Sequence, residues 1–360
     1  MNTFNHDMLI LARESRGLSQ TDASKAIGIT QGTLSKIESG LIMPSTDQMS
    51  LFSSVLSYPA SFFQNQERQY SYGSGTQDFH FMYRKQAKHS IKHMKKTEAR
   101  LNVCRLRVER LLRQVQLEPA LSIPFFTISE VEGDMGLAAS MVRMAWNMPS
   151  GPVQDLVTWL EDAGCILIPF DFESDKICAT TIFNRNSMPP FIFYNKGMSA
   201  DRMRFTLAHE LGHIVLHTNP NPDMEEQANN FASNFLSPSR DIYNDLQDFS
   251  LEKAVLLKRK WKISIASLTY RAKQLETISD SKYQKLFMDI SKRGWRMEEP
   301  SYTTFPREKP LLLNELLELY SKDLGYSPKE ISEFLWASSH DLDELRGTEL
   351  PQRTKLKVLA

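Results

Sequence analysis

The sequence predicts a mixed α+β protein that is mainly helical: an all-α N-terminal domain, then a larger domain with a small β-sheet and a helical C-terminal part. Three observations carry this prediction. Apolar residues recur at helical spacing over most of the chain. Three short runs rich in β-branched and aromatic residues, at 165–170, 178–183 and 191–194, interrupt that rhythm and are bounded by Asp, Asn and Pro. At 360 residues, the chain is long enough for two or three domains.

In chain order, residues 7–56 read as four short helices. Leu9, Leu11 and Ala12 give the first an apolar face. Ser19 caps the second, which runs to about Ala26, and Gly28 makes a turn. Thr30 caps the third, which ends at Ser39-Gly40. Met49, Phe52, Val55 and Leu56 mark the fourth, closed by Tyr58-Pro59. Residues 69–83 are rich in Gly, Ser and aromatics and read as a linker or small hairpin. Residues 84–118 read as strongly helical, and between Arg84 and Arg113 eleven Lys or Arg stand against two acids, Glu98 and Glu109. A helix at 153–162 precedes the three strands. Ser199 caps a helix that reaches His217, and another at 223–236 stops at Ser237-Pro238. Further helices are expected at 251–260, 265–276, 282–292, 310–323 and 328–336. The expected divisions are 1–68, 69–122, 123–300 and 301–360.

Forty-three Lys and Arg balance forty-three Asp and Glu, so any nucleic-acid site must come from a local patch. Cys104, Cys165 and Cys178 are far apart and form no C-x-x-C pair, which argues against a disulfide framework or a cysteine metal cluster. Reduced thiols in the cytoplasm are expected. The first sixteen residues carry Asp7 and Glu14 and have no long apolar run, so no signal peptide is expected. No run approaches 18 apolar residues, so no membrane span is expected.

The sharpest motif is His209-Glu210-Leu211-Gly212-His213. On a helix, positions i and i+4 share a face, so both imidazoles can bind one ion. Glu210 can reach a water on that ion and take its proton. The flanking Thr206, Leu207, Ala208, Ile214, Val215 and Leu216 make the helix nearly apolar, and buried polar groups there need partners. A hydrolytic site needs a third protein ligand and an open position. Glu225 shares a helix face with the small Ala228 and Ala232, which permit close approach, while Glu226 and Asp223 compete for the role. His217 continues the spacing and reads as a supporting or packing residue.

These residues resemble the ImmA/IrrE family of metallopeptidases, many of which follow helix-turn-helix domains. The resemblance is carried by Arg204 through His213, by His217, by Glu225-x-x-Ala228-Asn229-x-Phe231-Ala232 and by Leu236-Ser237-Pro238. Gly151-Pro152, Ala163-Gly164, Tyr270-Arg271-Ala272 and Arg293-Gly294-Trp295 look similar to longer members. The resemblance implies a zincin-like peptidase domain with Zn2+ held by His209, His213 and Glu225 and with Glu210 as general base. It also implies a protein substrate, a repressor-type regulator. Ser237 stands where the family commonly has Met.

Leu18 through Gly40 resembles the phage-repressor type of helix-turn-helix, with Ser19, Gln20, Ala23, Ile27, Gly28, Leu34, Ile37 and Glu38 among the matching positions. Its second helix projects Gln31, Thr33, Ser35 and Lys36 toward a major groove, and Gln20 is suited to a phosphate. Two-fold pairing into a homodimer is expected for operator-like DNA. Residues 1–68 are not basic. The basic helix at 84–113 is open between a DNA contact, an acidic-partner contact and a solvated charged face. Residues 251–275, another helix-turn-helix-like segment with Lys253, Lys258, Arg259, Lys260 and Lys262, read as scaffold. The expected function is a DNA-binding regulatory zinc metalloendopeptidase. The rival is a non-proteolytic transcriptional regulator or antitoxin-like protein with a structural or sensory zinc, for which Glu210 has no use.

Overall fold

The computed structural model describes residues 4–66, 90–184, 188–218, 221–338, 341, 342, 345 and 356–358. Segment 69–83, the expected linker or hairpin, and residues 84–89 of the basic stretch lie outside the described residues. The chain is mainly helical, with a small sheet, and divides into two compact units.

The first unit opens with α1 (His6–Ser15), α2 (Gln20–Ile27), α3 (Gln31–Glu38) and α4 (Thr46–Leu56). Asn5, Ser19, Thr30 and Ser45 sit at the four N-caps, each side chain accepting a backbone N–H from the first turn. Gly28 ends α2 at φ 81°, a left-handed conformation natural to glycine. Met8, Leu9, Leu34, Ile37, Phe52 and Phe62 fill the core. A buried ion pair ties α1 to α3: Arg13 Nε donates to Glu38 Oε1 at 2.6 Å and a terminal nitrogen to Oε2 at 3.1 Å.

Helix α5 (Ile91–Leu112) packs along α1, and β1 (Val115–Leu117) follows it. Its cations do not form one solvated face. Arg105 and Arg107 are buried. Arg105 donates to Glu109 at 2.6 Å, and Arg107 donates to the Leu335 and Trp336 carbonyls and to Asp341. Arg110 donates to the Phe334 carbonyl and lies 4.0 Å from the Trp336 ring centroid. Only the start of the helix, with Lys92 and Lys95, is open to solvent.

The second unit holds α6 (Met135–Ala145), α7 (Leu156–Asp162), β2 (Ile166–Phe170), β3 (Ala179–Asn184), β4 (Met188–Asn195), α8 (Ala200–Leu216), α9 (Met224–Leu236), α10 (Ser239–Ile242), α11 (Leu251–Trp261), α12 (Ile265–Gln274) and α13 (Asp280–Lys292). The sheet runs in the order β2-β4-β3; β2 is parallel to β4 and β3 antiparallel. Helix α8 lies against β3 and β4, and α9 packs between α8 and α6. A Cβ on Gly212 would stand 3.0 Å from the Phe231 ring and 3.3 Å from the Ala228 Cα, so glycine lets α8 and α9 meet closely. Segment 251–275 is scaffold: Lys258 and Trp261 are buried, and Lys258 donates to Asp201 at 2.7 Å and Glu299 at 2.5 Å. Residues past 300 continue this unit, where Glu308 accepts from Arg204 and from the Val157 N–H.

The chain then returns to the first unit through α14 (Leu312–Lys322), α15 (Pro328–Phe334) and β5 (Leu356–Val358). Strand β5 pairs antiparallel with β1, Tyr320 donates to the Leu111 carbonyl at 2.9 Å, and Trp336 packs edge-on against Phe62. The described part of the basic helix and residues from Leu311 onward therefore group with the N-terminal helices in one unit, where Arg107 and Arg110 find their partners. Among the described residues, no helix is long and apolar enough to cross a membrane.

Candidate metal centre

The site is built on α8, where every residue from Thr206 to His217 is buried. Imidazoles and a carboxylate in such a place require polar partners or an ion. One helical turn puts His209 Nε2 and His213 Nε2 3.0 Å apart. Glu225, on the first turn of α9, brings Oε2 to 3.7 Å from His209 Nε2 and Oε1 to 3.6 Å from His213 Nε2. Ligands at zinc distances in tetrahedral array lie roughly 3.3–3.6 Å apart. The triangle is close to those edges, and the donor set of two imidazoles and a carboxylate suits such an ion. Of the three acids open to the sequence, Glu225 joins the two histidines; Glu226 and Asp223 are not in the cluster. The Glu225 side chain is 41% exposed, so one side of the cluster faces solvent.

The other imidazole nitrogens are engaged. His209 Nδ1 lies 3.0 Å from Asn229 Oδ1, an acceptor that holds the proton on Nδ1 and turns Nε2 toward His213 and Glu225. His213 Nδ1 lies 2.8 Å from His217 Nδ1, and His217 Nε2 lies 2.9 Å from Gln227 Oε1. One proton arrangement satisfies this chain with His213 Nε2 turned to the cluster. His213 Nδ1–H donates to His217, and His217 Nε2–H donates to Gln227. Glu210 points elsewhere, toward β3, where Thr181 Oγ1 donates to its Oε2 at 2.6 Å. Asn229 was part of the family pattern, but nothing local to the sequence singles out Thr181 or Gln227, which meet the motif only through folding.

Two buried arginines hold α9, and with it Glu225. Arg271 donates twice to the Ser237 carbonyl, at 3.1 and 2.9 Å, and to Asn234 Oδ1 at 2.8 Å. Arg143 donates to the Phe235 carbonyl at 2.9 Å. Burial pushes the Arg271 pKa down to about 10 and that of Arg143 below its ordinary value. Both stay charged at neutral pH, favourable at the negative end of a helix.

In the first unit, Gln31 and Lys36 are exposed on α3, Thr33 and Ser35 are half-buried beside them, and Gln20 is half-buried at the start of α2. Gln31 Nε2 donates to Gln20 Oε1 at 2.8 Å, and Gln20 Nε2 donates to Glu38 Oε2 at 2.8 Å. The Arg13–Glu38 pair thus braces both glutamines. The Thr33 hydroxyl is shared with Thr30 at 2.8 Å, inside the helix cap.

Residues 160–273 match the model of the IrrE N-terminal-like domain, Peptidase M78, and residues 9–63 match the model of a helix-turn-helix domain. No curated protein matches the chain. One stretch of the chain is thus similar to helix-turn-helix domains and another to the IrrE N-terminal-like domain, and the His209–His213–Glu225 cluster lies within the second stretch.

Proposed function

We propose that this protein is a DNA-binding regulator whose second unit is a zinc-dependent endopeptidase acting on a protein partner, a repressor-type regulator. The observation that carries the reading is the triangle of His209, His213 and Glu225, with the buried Glu210 next to His209 on α8. His209 Nε2, His213 Nε2 and a Glu225 oxygen would hold the ion. When bound, zinc acidifies water and polarises a peptide carbonyl. Glu210 accepts the proton of the attacking water, and the same carboxylate then hands it to the departing amine. Thr181 holds one Glu210 oxygen still, so the other has a defined direction. A purely structural zinc would favour four protein ligands, whereas among the described residues three gather at a side open to solvent.

The first unit reads DNA through α3 in the major groove. Gln31 is suited to adenine, Lys36 to guanine, Thr33 and Ser35 to backbone contacts and Gln20 to a phosphate. A homodimer would address half-sites about one helical turn apart. The test is incubation with regulators encoded beside its gene, with and without a chelator and beside Glu210→Gln. The expected result is cleavage that the chelator abolishes and that falls ~10²–10⁴-fold in the variant at unchanged metal content. Cleavage of a partner at the wild-type rate by Glu210→Gln would overturn the assigned mechanism.

A further inference from the structure

The described helix-turn-helix region, residues 4–66, carries four cations, Arg13, Arg16, Lys25 and Lys36, against five acids. Arg13 is committed to Glu38. Such a surface has little long-range attraction for a polyanion, yet duplex binding draws much of its affinity from phosphate neutralisation. Further cations of the same unit lie on helix α5.

Helix α5 sorts its cations by depth. Arg105, Arg107 and Arg110 are held inside by carboxylates, carbonyls and rings. Lys92 and Lys95, at the opposite end, have side chains 66% and 59% exposed. That end lies against the start of the DNA-reading pair. Lys92 Nζ is 3.9 Å from Asp22 Oδ2, Lys95 Nζ is 3.4 Å from Glu14 Oε1, and the Lys96 stem covers Gly17. With Ser19 and Gln20 these lysines line an open groove of about 510 Å³. Gln20 in turn is bonded to Gln31 on α3, so the groove is continuous with the proposed base-reading residues.

We propose that Lys92, Lys95 and Lys96 extend the DNA interface, holding the phosphate backbone that runs past the start of α2 while α3 occupies the groove. The proposal rests on the DNA-binding reading of the first unit. An ammonium is a compact point charge that suits a phosphate oxygen. The Lys92–Asp22 pair is solvent-exposed and the Lys95–Glu14 pair is exposed on its lysine side, so both ammoniums are screened by salt and open to a phosphate. These contacts carry no base information; they raise affinity for every sequence alike.

The test uses the full chain and its Lys92→Gln/Lys95→Gln/Lys96→Gln variant. Binding to a random-sequence 40-base-pair duplex, and to a duplex enriched by the wild-type chain from a random pool, is followed by fluorescence anisotropy across a salt series. Each lost phosphate contact lowers the slope of log K against log salt by ~0.9. The expected result is a slope smaller by ~2–3 on both duplexes, with the preference for the enriched sequence unchanged. Lys322→Gln/Lys329→Gln, a control at exposed sites of the same unit, should match wild type. A triple-variant slope equal to wild type, or a loss confined to the enriched duplex, overturns the proposal and leaves the DNA-binding reading standing. A wild-type chain that binds neither duplex overturns both.

Discussion

Replacing His217 by Phe should weaken zinc binding at a site His217 does not itself join. In the metal-free protein, His213 can carry its proton on Nε2, facing the open cluster. Once Nε2 holds an ion, the proton must sit on Nδ1, where it now donates to His217 Nδ1 at 2.8 Å. Phe offers no acceptor, and His213 is 1% exposed, so water cannot replace the lost partner. A buried unsatisfied donor costs ~1–3 kcal/mol. The cost falls mainly on the metal-bound state, because only that state forces the proton to Nδ1. At ~1.4 kcal/mol per tenfold in affinity, the zinc Kd should rise ~10–100-fold, the range typical for partners of metal-bound histidines. Competition against a chromophoric chelator at pH 7 measures it, with the melting temperature of the metal-free variant as control. An unchanged Kd, or a Kd change matched by an equal loss of metal-free stability, would refute the argument. Gln227→Leu, which removes only the far end of the relay at 2.9 Å, should have a smaller effect in the same direction.

Thr181→Val keeps the shape of the side chain but removes the donor to Glu210. A hydrogen bond to a charged group contributes ~1.5–3 kcal/mol, so kcat should fall ~10–100-fold with KM and zinc content unchanged, measured on a cleaved partner. Gly212→Ala forces a methyl against Phe231 and the Ala228 backbone; overpacking of ~1–3 kcal/mol should lower the melting temperature and reduce zinc retention, since Glu225 rides on α9. Burial disfavours the charges of both Lys258 and Asp201, but their mutual hydrogen bond prevails, raising the first pKa and lowering the second. The Lys258 contribution to stability is therefore whole below its unfolded value of ~10.4 and fades as pH rises through the folded pKa, while that of Asp201 is whole above ~3.9 and fades in acid. Lys258→Gln should flatten both limbs of the stability–pH curve followed by denaturant titration.

Much of this protein was legible from short-range pattern. The helix caps at Ser19 and Thr30, the turn at Gly28, the three strands and the His209–His213 spacing depend on residues within a few positions of one another. Local sterics and the 3.6-residue period determine them before any long-range contact forms. The choice of Glu225 over Glu226 and Asp223 was not local, because it depends on the angle at which α9 crosses α8, set by Gly212 against Phe231 and Ala228. Thr181 reaches Glu210 only because the sheet lies under α8.

The basic helix illustrates the same division. Its charge and periodicity were plain in the sequence, but whether each cation meets water or protein was not. Arg107 is matched by Asp341, 234 positions away, and Arg110 by the Phe334 carbonyl and the Trp336 ring. Sequence alone determined that the chain has a helix-turn-helix pair, a helix with two histidines one turn apart and a basic helix, since each is written in residues one or two turns apart. Tertiary structure decided which acid joins the two histidines, which residues orient their rings and which cations are buried or exposed, because burial is a property of neighbours brought together from distant parts of the chain.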